Sequence, residues 1–257
     1  MKIIIMSARV EILVKSSVLR FSIHEGAFIY MVTDDRYTQL DGLEEYFNID
    51  VKKTTLLDSN LGFLPVCNTV LIRSDKNVLV DPGNFHVGLY GPLKIELNKR
   101  GLGPGDIDIV VNTHCHHDHN QSNFLFRGKK LIIHKKELEM AREMYWSEYV
   151  DAFFGILDIE DSIYDGMEIA KDVKIIETPG HTPGSLSVIA NTPDGLVAIL
   201  GDTAMLRIDY SERKLSHWYS EEQKKLINMA LDRVSSMNPA IVIPGHDEPL
   251  LFKKIKI

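Results

Sequence analysis

Short apolar runs, each cut off by a polar or turn-forming residue, set the rhythm of this chain. Val10, Ile12 and Val14 alternate with Glu11, Leu13 and Lys15, the period of two expected of a half-buried strand. Residues 28–32 and 54–57 predict short strands, and residues 43–47 a helical turn or two. From residue 66 the pattern sharpens. Residues 66–73 and 78–81 predict paired strands joined by the polar Ser74-Asp75-Lys76-Asn77 turn. A helix over 92–100 stops at Gly101 and the Gly103-Pro104-Gly105 breaker. Strands follow at 107–111, 129–134, 173–177, 185–190, 196–200 and 241–243, with a charged helix at 135–145. Ser220, with Gln223 three residues on, predicts the capped start of a helix running to about Met237.

No internal period or Pro/Ser-rich linker interrupts this order, so residues 1–257 read as one domain, with the first sixty loosely placed. Strands dominate each half and helices are left to cover them. That predicts an α+β protein of two packed sheets with helices outside. One regularity stands out. Asp81, His114, His181, Asp202 and His246 each follow a separate apolar strand, so neighbouring strands would bring five polar groups to one sheet edge.

Charge and cysteine content narrow the function. A net charge of −7 argues against broad nucleic-acid binding, which needs a positive surface. Two cysteines, Cys67 and Cys115, cannot form a disulfide framework, which fits a reducing cytosol. No apolar run approaches the roughly 20 residues that span a membrane. The opening Met1-Lys2-Ile3-Ile4-Ile5-Met6 is too short for a signal-peptide core and reads as the lead-in to a strand, with Met6 an alternative start. A cytoplasmic protein is expected.

The chemistry concentrates in His114-Cys115-His116-His117-Asp118-His119. Four imidazoles and a carboxylate in so short a segment, just past a buried strand, suit a cation better than a solvated loop. His181 would complete a three-nitrogen site with His114 and His116. Asp118, His119 and His246 would form a second, and Asp202 could bridge the two with its two oxygens. Such open sites, finished by water or hydroxide, are catalytic in type. Cys115 and His117 alternate with ligands and would face away. His24, His86, His134 and His217 read as ordinary surface residues, and Trp146, Tyr149, Phe153, Phe154 and Trp218-Tyr219 as packing more than as a substrate wall. Cys67 and Asn68 could border the pocket.

His114-x-His116-x-Asp118-His119, followed by His181, Asp202 and His246, resembles the metallo-β-lactamase superfamily pattern over about residues 64–250. The resemblance implies a four-layer αβ/βα sandwich with a dinuclear centre at the sheet edges. It implies two divalent metal ions, with zinc the default and iron or manganese suited to the same nitrogen and oxygen donors. Asp81 would orient a ligand histidine and fix its tautomer. Asp118 would serve as catalytic base as well as ligand, and a metal-bridging hydroxide would attack the substrate.

Within the superfamily, Asp202 stands where the commonest zinc β-lactamases have cysteine, which argues against antibiotic hydrolysis. The pattern is most similar to N-acyl homoserine lactonases: Leu64-Pro65-Val66-Cys67, Val80-Asp81-Pro82-Gly83, the 178–184 segment around His181, and Gly245-His246-Asp247. Those lactonases carry a tyrosine shortly after the bridging aspartate. Here that place holds Met205, with Tyr210 or Tyr219 as possible substitutes. The expectation is a hydrolase of a small lactone, thioester or similar ester, with oligomerisation left open. A phosphodiesterase or nuclease of this fold and a mononuclear-iron persulfide dioxygenase are the alternatives.

Overall fold

The computed structural model describes residues 7–24, 27–33, 62–83 and 91–252. The expectations for residues 1–6, 43–47, 54–57 and His86 lie outside these residues. The strands are β1 (Arg9–Val14), β2 (Ser17–His24), β3 (Ala27–Thr33), β4 (Gly62–Val66), β5 (Thr69–Arg73), β6 (Asn77–Val80), β7 (Ile109–Val111), β8 (Lys130–Ile132), β9 (Asp158–Ile159), β10 (Glu168–Ala170), β11 (Val173–Glu177), β12 (Leu186–Thr192), β13 (Gly195–Gly201), β14 (Ile241–Pro244) and β15 (Leu250–Leu251). The helices are α1 (Pro92–Lys99), α2 (His117–Asn120), α3 (Lys135–Met144), α4 (Ser147–Phe153), α5 (Arg207–Ser211) and α6 (Glu221–Ser236).

Two six-stranded sheets, ordered β1-β5-β6-β7-β8-β9 and β10-β11-β12-β13-β14-β15, form the frame, beside a three-stranded sheet β3-β2-β4. Alternation along each strand decides the layering. Val70, Ile72, Val78, Val80, Ile109 and Val111 point toward Ile175, Val188, Val197, Ile199 and Ile243 of the other sheet. The intervening Leu71, Leu79 and Val110 pack outward on Leu93 and Leu97 of α1, Leu138 of α3 and Val150 of α4. On the far side Ile189, Ala198, Leu200 and Val242 pack on Ile227, Leu231 and Val234 of α6. The result is helix, sheet, sheet, helix: the expected αβ/βα sandwich. Strands buried on both faces explain why the sequence shows unbroken apolar runs.

Most expected elements are present, and α6 opens on Ser220 with the reciprocal Ser220–Gln223 capping box. The expected 66–73 strand is instead divided. It breaks at Cys67–Asn68 because Asn68 turns its backbone N–H to the Gly245 carbonyl, 2.8 Å away, and so ties the two sheets together.

Strand direction explains where the polar residues meet. β6 and β7 run parallel, as do β13 and β14, and β11 is antiparallel to β12, which is antiparallel to β13. β6 and β7 therefore end on one rim of the first sheet, and β11, β13 and β14 on one rim of the second. The 3.2 Å approach of His119 to His246 shows that the two rims lie side by side. Asp81 and His114 leave the first sheet there; His181, Asp202 and His246 leave the second. The polar residues thus gather between two sheets, not along one edge. Among the described residues no helix is long and apolar enough to cross a membrane.

Candidate metal centre

The first structural demand is for backbone room. Gly83 passes directly under the histidine loop, and a methyl group there would collide with the Asp118 carbonyl. Gly245 lies against Asp202, and a methyl group there would collide with its Oδ1. Both glycines are required by close approach. Asp81 itself adopts a left-handed conformation, φ 50°, which lets the chain turn sharply out of β6.

That turn aims the Asp81 carboxylate inward. Its Oδ1 accepts the Thr113 N–H (2.8 Å), and its Oδ2 accepts the Thr113 hydroxyl (2.8 Å). The same Oδ2 lies 2.9 Å from His119 Nδ1. With its hydrogen given to Asp81, Thr113 Oγ1 can only accept from His114 Nδ1, 3.1 Å away. Tyr219 Oη lies 2.7 Å from His181 Nδ1 and donates to Met205 Sδ at 3.4 Å. These contacts place a hydrogen on Nδ1 of His114, His119 and His181 and turn each Nε2 inward.

The inward atoms form two groups. His114 Nε2 and His181 Nε2 each lie 3.0 Å from His116 Nδ1. A single proton on His116 cannot serve both lone pairs. In the second group His119 Nε2 lies 3.2 Å from His246 Nε2, with Asp118 Oδ2 3.3 Å from His246 Nε2. Asp202 stands between them. Its Oδ2 is 3.5 Å from His181 Nε2 and 3.9 Å from His114 Nε2, while its Oδ1 is 3.3 Å from both His119 Nε2 and His246 Nε2. Oδ1 is buried, and these two rings are its close polar neighbours among the described residues. Ligand atoms at roughly 2.0–2.1 Å from one tetrahedral ion stand about 3.3 Å apart. Both groups have that spacing, and each could hold a metal ion.

Electrostatics separates the groups. Burial, then the neighbouring His119, His116 and His181 rings, hold His114 well below the usual histidine range. Burial takes His181 down to about 4. Burial opposes charge on His246 too, but Asp202 and Asp118 overcome it and raise the ring to about 9. His119 also ends well above the usual range, where Cys67 and the carboxylates of Asp202, Asp81 and Asp118 outweigh burial. Asp118 falls to about 2 because His119 and His246 outweigh its burial.

The other expected residues divide cleanly. Cys115 is fully buried in the core beneath the helices, facing away from the two groups. His134 caps α3 by accepting from the Lys136 N–H at 3.2 Å. Tyr149 supports the histidine loop from behind: its hydroxyl donates to Asn120 Oδ1 (2.8 Å), and Asn120 Nδ2 donates to the carbonyls of Cys115 (2.9 Å) and His116 (2.7 Å). Asn68 Nδ2 holds the His246 loop through the carbonyls of Pro244 (2.8 Å) and Asp247 (2.7 Å). The Tyr210 hydroxyl accepts from Ser235 and is turned away from the centre. Sequence reading missed Thr113 and Asn120; each flanks the histidine motif, which was the available signal.

Comparison with known proteins agrees with this geometry. The metallo-beta-lactamase superfamily model matches residues 63–246. A probable metallo-hydrolase of Methanocaldococcus jannaschii is 35% identical over 144 residues, covering 53% of this chain and 66% of that protein, just under two thirds of its length. An N-acyl homoserine lactonase of Bacillus cereus is 27% identical over 219 residues, 76% of this chain and 86% of that enzyme. A crystal structure of a quorum-quenching N-acyl homoserine lactone lactonase superposes with a TM-score of 0.64 at 20% identity, covering 96% of this chain and 94% of that one, which speaks for the fold. By its sequence pattern across 63–246 and its sandwich of two sheets, the chain belongs to the metallo-beta-lactamase superfamily.

Proposed function

We propose that the protein is a dinuclear metal-dependent hydrolase of a small lactone, thioester or similar ester. One divalent cation, zinc by default, would be held by His114, His116, His181 and Asp202, and a second by Asp118, His119, His246 and Asp202. The observation that carries this reading is the division of Asp202, with Oδ2 toward one ring group and Oδ1 equidistant, at 3.3 Å, from both rings of the other. Bound cations supply the charge that acidifies water near neutral pH and polarises a carbonyl oxygen.

The chain's own residues do the rest. Asp118, ionised at neutral pH, takes the proton of the attacking water and returns it to the leaving oxygen or sulfur. Asp81 does not touch substrate; through Thr113 and His119 it sets ring orientation on both sides of the centre. Tyr219 is engaged with His181 and Met205, so it holds a ligand in place and does not stand in for the tyrosine that the lactonases carry after the bridging aspartate. The similarity to the Bacillus cereus lactonase supports a lactone or ester substrate.

The test is an activity screen on zinc-, manganese- and iron-loaded protein against lactones, thioesters and phosphodiesters. Turnover of a lactone or thioester above that of bis-p-nitrophenyl phosphate is expected. Faster phosphodiester cleavage would point to a nuclease. Binding of about one iron with oxygen consumption on a persulfide would sink the hydrolase reading.

A further inference from the structure

Glu137 lies in the first turn of α3, a helix whose charged sequence suggests a solvated face, yet it is fully buried. Its two oxygens go to different parts of the centre. Oε2 accepts the Cys115 N–H at 2.9 Å, between His114 and His116, and Oε1 accepts the Gly184 N–H at 2.7 Å, three residues past His181. A methyl group at Gly184 would meet His134 Nδ1 and Glu137 Oε1, so this segment sits directly against the start of α3.

We propose that Glu137 is a positioning residue that fastens the loop carrying His114 and His116 to the loop carrying His181, preorganising one metal site before its ion arrives. The inference rests on the metal-site reading above. The choice of residue follows from donor counting. Two converging N–H groups need two acceptors, and at this length only an ionised carboxylate offers two acceptors and no donor. Glutamine would turn an NH₂ toward one of the backbone N–H groups. Burying a carboxylate is costly, and charge-assisted bonds to two backbone donors offset that cost. Asn120 grips the carbonyls of the same loop, so the segment from Cys115 to His116 is held on both its donor and acceptor sides. Glu137 has no corresponding bond to the His246 loop, which Asn68 holds instead. The clamp therefore acts on one site of the two.

Cobalt affinity, measured by chelator competition on the full chain, tests this. A His246→Ala background leaves the His114/His116/His181 site; a His181→Ala background leaves the other. Glu137→Gln should weaken cobalt binding about 10–100-fold in the first background and less than about threefold in the second. A purely structural role would lower thermal stability in both backgrounds without changing one affinity selectively. Equal weakening of both sites, or of neither, overturns the proposal. Failure of unmutated protein to take two cobalt ions would overturn the dinuclear reading instead. Glu137→Asp, which can reach only one loop, should give the same selectivity. Amide exchange in unmutated, metal-free protein needs no variant: slow exchange at Cys115 and Gly184 is expected, and fast exchange there contradicts preorganisation.

Discussion

His181 and His246 both follow strands of the second sheet and both turn Nε2 toward Asp202, yet they settle at opposite protonation states. Loss of water around the ring takes His181 to about 4, whereas His246, itself buried, is raised to about 9 by Asp202 and Asp118. The same contrast separates His114 from His119. One half of the centre consists of rings facing rings, so in the metal-free chain its nitrogens keep their lone pairs. In the other half the His119 and His246 rings also approach each other, Nε2 to Nε2 at 3.2 Å. There, however, the carboxylates of Asp118, Asp202 and Asp81 lie against them and hold protons on them in the place of a cation. On the proposed dinuclear reading, the two sites would be prepared differently: the first for direct capture, the second for exchange of protons against metal.

The largest way to break this contrast is to remove the residue both halves share. Asp202→Ala should abolish dinuclear occupancy and lower activity by at least about 10³-fold, since several kcal/mol of charge stabilisation are lost together. Metal analysis beside a kinetic assay checks it, and retained two-metal occupancy would refute the bridging role. Gly83→Ala comes next. Its methyl group collides with the Asp118 carbonyl, so a loss of about 4 kcal/mol or more, or failure to fold, is expected in urea denaturation. Thr113→Val keeps the shape but removes the hydroxyl between Asp81 and His114. It should weaken the first site about 10–100-fold while changing the second far less.

The protonation contrast predicts a pH effect with a definite sign. Because the folded pKa of His246 is raised, its contribution to metal-free stability is present below the unfolded value near 6.5 and is lost as pH rises through about 9. Metal-free protein should therefore become less stable between about pH 6.5 and 9 in chemical denaturation. Over the same window, affinity of the second site should rise as His246 loses its proton, while affinity of the first stays nearly flat. Calorimetry in buffers of different ionisation enthalpy should find proton release at pH 7 for the second site alone.

How much of this was legible in the sequence follows from chain distance. His114, His116, Asp118 and His119 lie within six residues, and the remaining candidates each stand just past an apolar strand, so local pattern suffices to find them. The division of labour around them is set by distant partners. Asn68 meets Pro244 across 176 positions, and Glu137 meets Gly184 across 47. Glu137 was masked by its neighbours: Lys135, Lys136 and Glu139 make α3 read as a charged surface helix. Its spacing of four from the buried Ala141 was the one hint that it shares the inward face. Tyr219 was legible as a candidate but not in its role, because the hydroxyl's direction depends on the loop between α5 and α6. The sandwich was legible from strands apolar on both faces, whereas the break at Cys67–Asn68 reflects a contact with β14's far end that no local pattern carries.

Whether Asp202 joins two unlike metal sites is decided by titrating metal-free protein with cobalt(II), followed by absorption and by proton release at pH 7. Saturation at two ions per chain in two steps is expected, the first with almost no proton release and the second releasing protons from His119 and His246. Saturation at one ion, or two steps with equal proton release, would contradict that role of Asp202.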